Sequence, residues 1–410
     1  MSGNQATLKL AQPTVYLDQW VWIRLAKAQA GSPKIPDDSR VLAAVRRAAD
    51  RGINFPLSAT HYEETGRILD HRQRQSLVNV MAPISLMQTF RAHGVLLRHQ
   101  FLAALHETVG RPAFRPQNPD VIGVGVHWAM TGVQAFFKVV GADNRVVGSV
   151  SGAWLRHLNQ YAEAAVLAGP TGQELPGLLS RGYQMPRSFE DGETSRLAYE
   201  QWLKLQLAGR PIGSDELRAI VLARELQHEY SDLLGGIFEE YKLTLSSIAA
   251  GASGLKRRAK AIAFMERVPT ARISADLKTQ LFLNKQRNWD WNMIRDIDAL
   301  SLAVPYSHLV VADKDASNLL RRTKADERHR TTVVATLGDL PDHLEALCLP
   351  SRGTAWDDLG PDDGQYHLAS PPNLLYHASL QGAELKLVDA SGCLVAKPSL
   401  GGNRVNELGR

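Results

Sequence analysis

Carboxylates stand beside the ends of predicted strands at several places in the chain. Asp18 follows the apolar run "VYL", and Asp313 follows the run "HLVVA". Asp296 opens the helical segment that leads into the second run, and Glu63 and Glu64 lie in a helical segment after the short extended piece "NFPLS". Converging carboxylates repel each other at low dielectric and persist only when they are protonated or bound to a cation. Because oxygen ligands suit Mg²⁺ and Mn²⁺, the pattern predicts a site for one of these ions.

The segments that carry these residues predict an α/β fold. Residues 14–20 are typical of a strand, and residues 20–30 are typical of a helix that follows it directly. The pattern returns late in the chain, where "HLVVA" and "TTVVAT" are typical of strands and flank the helical segment "DASNLLRRTK". The carboxyl ends of the strands form the ligand-binding edge of an open parallel sheet, so we expect Asp18 and Asp313 at that edge.

A less specific interpretation applies to each carboxylate taken alone. An aspartate after a strand is more often a helix cap or a turn residue than a metal ligand. Asp298 and Asp315 are candidates for additional ligands, but they are more typical of solvated helix residues or caps. The prediction of a metal site therefore depends on four segments together, each of which places an acidic residue beside the end of a predicted strand. A metal held in this way can activate water for hydrolysis of a phosphodiester.

The middle of the chain differs from both ends. From about residue 75 to about residue 285 the pattern is mostly helical, with one long helix or two in the segment 214–251, whereas 111–126 is typical of a Pro/Gly-rich loop. Two alternating runs around residues 389–392 predict a β-hairpin in the tail. We therefore predict a discontinuous α/β domain over 13–75 and 288–345, a mostly helical insertion over 76–287 and a C-terminal extension over 346–410.

The composition narrows the class of protein. The chain has 410 residues and a net charge of +5, and this modest excess of positive charge weakly favours a polyanionic partner. Its two cysteines form no Cys/His cluster, which disfavours a structural zinc site and suits a reducing cytosol. No apolar leader and no membrane-spanning run are evident, so we expect a cytoplasmic protein without a membrane partner.

The four segments resemble the motifs of the PIN-domain nucleases. "VYLDQWVWIRLA" resembles the first motif and carries over Asp18, and "FPLSATHYEET" resembles the second. Glu64 is favoured there because it shares a helix face with His61, and Glu63 is the close alternative. "RDIDALSLAVPYSHLVVAD" resembles the last two motifs and carries over Asp296 and Asp313.

The resemblance implies a PIN-like fold with three α/β/α layers and a central parallel sheet. It also implies that the carried-over acidic residues bind Mg²⁺ or Mn²⁺ and cut RNA. Two features depart from the family pattern. Gln19 and Trp20 stand where Thr and then Asn or Ser are usual, and about 230 residues separate Glu64 from Asp296. The resemblance covers under a third of the chain, roughly residues 13–75 and 288–340.

Basic residues supply candidate phosphate contacts, although each cluster is equally typical of a solvated helix face. These candidates are Arg321, Arg322 and Lys324 after Asp313, and Lys256, Arg257 and Arg258 in the insertion.

We therefore predict a metal-dependent endoribonuclease with RNA as its partner. The alternatives are a structure-specific DNA nuclease of the flap-endonuclease type and a catalytically inactive PIN-like protein that binds nucleic acid. The helical insertion could mediate homo-oligomer formation, and an inhibitor protein is not assumed.

Overall fold

The computed structural model of the chain describes residues 8–110, 119–140, 152–180, 190–347, 384–389 and 394–396. Its strands are β1 (Val15–Leu17), β2 (Gln88–Phe90), β3 (Ile122–Val124), β4 (Ala135–Val140), β5 (Leu309–Val311), β6 (Thr332–Val334), β7 (Glu384–Asp389) and β8 (Leu394–Ala396).

The helices of the described residues account for most of the secondary structure. The first nine are α1 (Gln19–Gln29), α2 (Asp37–Asp50), α3 (Ala59–Arg67), α4 (His71–Ser85), α5 (His93–Thr108), α6 (Gly125–Thr131), α7 (Gly152–Ala168), α8 (Leu175–Leu179) and α9 (Glu190–Leu207). They are followed by α10 (Ser214–Arg224), α11 (Ser231–Glu240), α12 (Leu245–Ile248), α13 (Gly254–Glu266), α14 (Pro269–Leu283), α15 (Trp291–Tyr306), α16 (Lys314–Arg322), α17 (Ala325–His329) and α18 (Leu340–Glu345). None of the described helices is both long enough and apolar enough to cross a membrane.

The chain divides into two compact units. The first unit comprises Met1–Asp18, Ala92–Val121 and Phe189–Leu340, and the second comprises Gln19–Arg91, Ile122–Ser188 and Pro341–Arg410. Each unit is thus assembled from separate stretches of the chain. The domain boundaries predicted from the sequence stay a prediction.

The first unit contains a parallel sheet in the order β1-β5-β6. Leu17 of β1 is aligned with Val311 of β5, which is aligned with Val334 of β6. All three residues are buried, as expected for strands with helices on the sheet faces. The predicted α/β class and the three predicted strands of this sheet are therefore confirmed.

Helices pack against this sheet and supply the rest of the first unit's core. α15 packs against α14 and β5, and α16 packs against β6 and α14. Every residue of α15 from Ala299 to Tyr306 is buried, and almost all of them are apolar. This half of the helix is therefore apolar on all sides and shows little amphipathic pattern. Asp290 caps the start of this helix, because its carboxylate accepts the Met293 N–H at 3.0 Å.

The second unit contains two small antiparallel arrangements. β2 pairs with β3, and β4 pairs with β7, which in turn pairs with β8. The β7–β8 pair confirms the hairpin that was predicted around residues 389–392, and the turn itself lies outside the described residues.

The short extended piece "NFPLS" belongs to no named strand, and its Leu57 bridges to Thr89. The helical segment that carries Glu63 and Glu64 ends at Arg67, and Asp70 then caps α4 by accepting the Arg72 N–H at 2.8 Å.

Two predictions in the middle of the chain need correction. The stretch that was predicted to be a loop contains β3, in which Gly123 lies so close to the Trp128 ring that an added Cβ would stand 2.5 Å from it. The segment 214–251, predicted to be one long helix or two, is divided into α10, a π-helix at Glu225–Glu229, α11 and α12. π-Helical turns of this kind are rare and are frequent at functional sites.

Candidate active site

The carboxyl edge of the parallel sheet positions two of the predicted aspartates. Asp18 directly follows β1, and its backbone N–H donates to the Val311 carbonyl of β5 at 3.1 Å. Asp313 lies two residues beyond Val311. The pairing of β1 with β5 therefore continues into Asp18, and the backbones of both aspartates lie at the same end of neighbouring strands.

Asp296 lies in the second turn of α15 and is electrostatically linked to this edge. Its pKa is raised from 3.8 to about 7, first by burial and then by the negative charges of Asp18, Asp313 and Asp290. Arg287 opposes the rise but does not cancel it. The first unit thus brings the three aspartates carried over from the PIN motifs into one electrostatic neighbourhood.

The residues of this site suit a metal ion in their chemistry but not fully in their arrangement. The donor set is suitable, because carboxylate oxygens are the preferred ligands of Mg²⁺ and Mn²⁺ and their mutual repulsion is relieved by a cation. However, no group of three or more His, Cys, Asp or Glu side chains among the described residues is arranged to hold a metal ion. The carboxylates are close enough to influence each other's ionisation, but their side chains do not form a complete ligand cage.

Asp313 also has a structural role. It is exposed and caps α16, with its Oδ1 accepting the Ala316 N–H at 2.7 Å. The interpretation of this residue as a helix cap is therefore correct. A carboxylate has two oxygens with about four acceptor positions, so capping leaves acceptor capacity for a cation.

Asp298 is held by an arginine. Its two carboxylate oxygens accept from Arg196 at 2.8 and 2.9 Å. Burial opposes ionisation of Asp298, but the charge and the hydrogen bonds of Arg196 outweigh it together and lower the pKa of the carboxyl. Asp315 is exposed and forms an ion pair with Arg287 at 3.2 Å. A role for Asp298 and Asp315 as additional ligands stays a prediction.

Glu63 and Glu64 are half-buried residues of α3 in the second unit. His61, which suggested Glu64 by its spacing, completes the cap of this helix: the Ser58 N–H donates to its Nδ1 at 2.9 Å. The choice between Glu63 and Glu64 stays open.

Gln19, one of the departures from the PIN pattern, is also in the second unit. Its side-chain amide donates to the Thr65 hydroxyl at 3.1 Å, so this amide tethers α1 to α3.

The predicted phosphate contacts all lie on exposed positions. Arg321 donates to the Val333 carbonyl of β6 at 2.7 Å, and Arg322 and Lys324 follow it on the surface. The other cluster, Lys256, Arg257 and Arg258, is exposed on α13.

Arg257 and Arg258 also border a cavity of about 830 Å³ in the first unit. Apart from these arginines it is lined mainly by aliphatic side chains and by Trp202, which is 50% exposed. The cluster is thus next to an apolar surface rather than on a uniformly polar helix face.

Sequence reasoning missed a buried ion network at the π-helix. Lys278 donates to Glu225 at 2.7 Å and lies 3.0 Å from Glu200, while Arg224 pairs with both glutamates at 2.7 and 2.9 Å. These four side chains are buried. No local pattern could have revealed the network, because Lys278 and Glu225 are 53 residues apart in the chain.

Comparison with known proteins adds no relative to this description. No family model, no curated protein and no solved structure matches the chain.

Proposed function

We propose that the chain is a metal-dependent ribonuclease with a PIN-like fold, in which Asp18, Asp296 and Asp313 hold Mg²⁺ or Mn²⁺. The observation that carries the proposal is the edge of the parallel sheet, where the Asp18 N–H continues the pairing with β5 just before Asp313. Glu64 is the fourth ligand that the motif resemblance implies. The cytoplasm is the proposed location.

The chemistry of the site follows from its donors. A divalent cation at this edge supplies positive charge against the charge that develops on a phosphate, and it makes water a better nucleophile at neutral pH. Asp296 has a pKa of about 7, so without a cation much of it keeps its proton at neutral pH. Cation binding requires the ionised carboxylate and is therefore expected to release a proton and to weaken as the pH falls.

The proposed substrate class is supported by charge. A net charge of +5 and the exposed cations after Asp313 suit a polyanion. The preference for RNA over DNA comes from the motif resemblance, so both substrates belong in the test.

The test is an incubation of the full chain with labelled single-stranded RNA, structured RNA and flap DNA, each with Mg²⁺, Mn²⁺ or EDTA. We expect RNA cleavage that requires the metal and is abolished in Asp18→Asn and Asp296→Asn. Asp339→Asn is the matched control, because Asp339 is an exposed aspartate of the same unit outside the proposed site. It should cleave at the wild-type rate.

Thermal unfolding of each variant establishes that it is folded before its activity is compared. Cleavage that persists in EDTA or in both Asn variants would contradict the proposed site. Specific cleavage of flap DNA would assign the edge to a DNA nuclease instead. Binding of RNA without cleavage by the wild type, under every metal condition, would identify a catalytically inactive nucleic-acid-binding protein.

A further inference from the structure

A second, smaller cavity of the first unit is lined by charged and hydroxyl side chains. It has a volume of about 180 Å³ and lies between the start of α10, α14, α17 and the segment that joins α16 to α17. We call it the arginine cavity. Its lining includes Ser214, Arg218, Arg272, Asp276, Thr323 and Arg328. At about 30 Å³ for each water molecule, this volume accommodates a small solvated anion.

The charges around the arginine cavity do not balance. Asp276 accepts from Arg218 at 2.6 Å and from Arg328 at 3.1 Å, so each of its carboxylate oxygens is already engaged. Arg218 also pairs with Glu266 at 2.8 Å. Within this set of paired and lining residues, two carboxylates face three arginines, so one positive charge is in excess.

Arg272 carries this excess charge. Among the described residues it has no ion pair and no side-chain hydrogen bond, and its Nε is buried. Burial lowers the pKa of Arg272, and the neighbouring charge of Arg328 lowers it further, although Asp276 acts in the opposite direction. A buried guanidinium donor without a partner is costly, and a bound anion would satisfy it.

The start of α10 places free backbone N–H groups beside the cavity, while Asp215 and Glu216 in its first turn carry negative charge. Ser214 is the first residue of this 11-residue helix, and the preceding Gly213 has no side chain to cap it. The free N–H groups and the dipole of a helix N-terminus favour negative charge. Arginine forks match the oxygen geometry of phosphate better than that of a spherical anion.

We propose that the arginine cavity binds a phosphate group, with Arg272 as the residue that anchors it. The group has two sources: free phosphate or a nucleotide, and the backbone of a nucleic-acid strand. The second source, which rests on the proposed function, gives the strand a holding point away from the sheet edge. α16 connects the sheet edge with the arginine cavity, because Asp313 caps its start and Thr323 follows its end. Its nine residues measure about 14 Å.

The first arm of the test measures phosphate binding without any cleavage. The thermal midpoint of the full chain is followed during titration with inorganic phosphate, and with sodium chloride at matched ionic strength. We expect a saturable rise with phosphate that chloride does not produce. Arg272→Ala should weaken phosphate binding by about tenfold or more, and Arg272→Lys should restore part of it. Arg51→Ala removes an exposed arginine of the second unit and should bind as the wild type does.

Arg272→Ala breaks no ion pair, so it should fold, and its thermal midpoint without phosphate shows whether it does. If phosphate stabilises wild type and folded Arg272→Ala equally, or stabilises neither, the proposal is overturned and the arginines serve only their carboxylate partners.

The second arm distinguishes the two sources of the group. Binding of a labelled single-stranded oligonucleotide is measured in EDTA, where no metal-dependent cleavage occurs. A loss of several-fold in Arg272→Ala, together with competition by inorganic phosphate, assigns the cavity to the nucleic-acid backbone. Unchanged oligonucleotide binding with lost phosphate binding assigns it to free phosphate or a nucleotide. Because this arm needs no catalysis, failure of the ribonuclease proposal and failure of the phosphate site give different results.

Discussion

The first unit holds two groups of acidic residues, and their surroundings are opposite. At the π-helix, Glu200 and Glu225 are buried and face Arg224 and Lys278 at 2.7–3.0 Å. At the sheet edge, the negative charges of Asp18 and Asp313 act on Asp296 and disfavour its ionisation. In the first group the chain supplies cations that outweigh burial. In the second, Arg287 opposes the rise in the pKa of Asp296 but does not cancel it.

The pKa values of the two groups shift in opposite directions for this reason. Burial disfavours the charged form of Glu225, but Lys278 and Arg224 together outweigh burial and lower its pKa. Burial and neighbouring aspartates act together on Asp296 and raise its pKa to about 7. Acidic residues whose pKa is lowered by neighbouring cations stabilise a fold, whereas a carboxyl whose pKa is raised by neighbouring carboxylates marks a place where an external cation is favoured.

Loss of the buried cation should have the largest effect. Lys278→Met removes the charge that faces Glu225 and Glu200 and leaves two buried glutamates undercompensated. Breaking a buried ion pair in this way costs about 3–5 kcal/mol, which urea unfolding would measure as a lower midpoint. Lys285→Met changes an exposed lysine of the same unit and should alter the free energy of unfolding by less than about 0.5 kcal/mol. Equal stability of the two variants would show that the network is not structural.

The ionisation of Asp296 should have the next largest effect on stability, as a dependence of stability on pH. Its folded pKa of about 7 lies above its unfolded value of 3.8, so the folded protein binds more protons between these values. Stability from this group is therefore lost as the pH rises from about 4 to about 7, by at most on the order of 4 kcal/mol. Asp296→Asn should lack this loss.

The measurement is the difference in unfolding midpoint between wild type and Asp296→Asn across this pH range, with Asp339→Asn as the control. Other groups titrate in both proteins and cancel in the difference. Mn²⁺ should raise the wild-type midpoint at pH 8 and have little effect on Asp296→Asn. A difference that does not change with pH would mean that Asp296 is not buried among other carboxylates.

The smallest effect is expected at Asp315. This residue is 67% exposed in its side chain and pairs with Arg287 at 3.2 Å, so Asp315→Asn should change stability by no more than about 1 kcal/mol. RNA cleavage should remain at the wild-type level. Loss of cleavage in a stable Asp315→Asn protein would extend the proposed metal site beyond the three aspartates.

Local patterns in the sequence predicted the sheet edge well. An apolar run that ends in an aspartate places Asp18 after β1 and Asp313 after β5, because strand type and strand end are both determined within a few residues. The parallel pairing of β1 with β5 joins residues almost 300 positions apart, and it was predicted from the general rule for α/β proteins rather than from any local signal.

The charged contacts of the helical region could not be predicted in the same way. Glu225 and Lys278 are typical of solvated helix residues in the sequence, and their burial depends on how α9, α10 and α14 pack. The arginine cavity has the same origin, since Arg218, Arg272 and Arg328 come from three helices. Periodicity identifies each helix but does not specify which charged residues from different helices meet.

The cap that Asp313 provides for α16 has a consequence for how this position can vary. Asn, Ser and Thr are also good N-caps, so folding alone would accept any of them in place of this aspartate. A cation at the sheet edge would accept only the charged residue. In a library randomised at position 313, selection for soluble protein should recover all four residues, whereas selection for metal-dependent cleavage should recover aspartate. Residues recovered only by the selection for soluble protein would show what position 313 requires for capping the helix and what it requires in addition for the reaction.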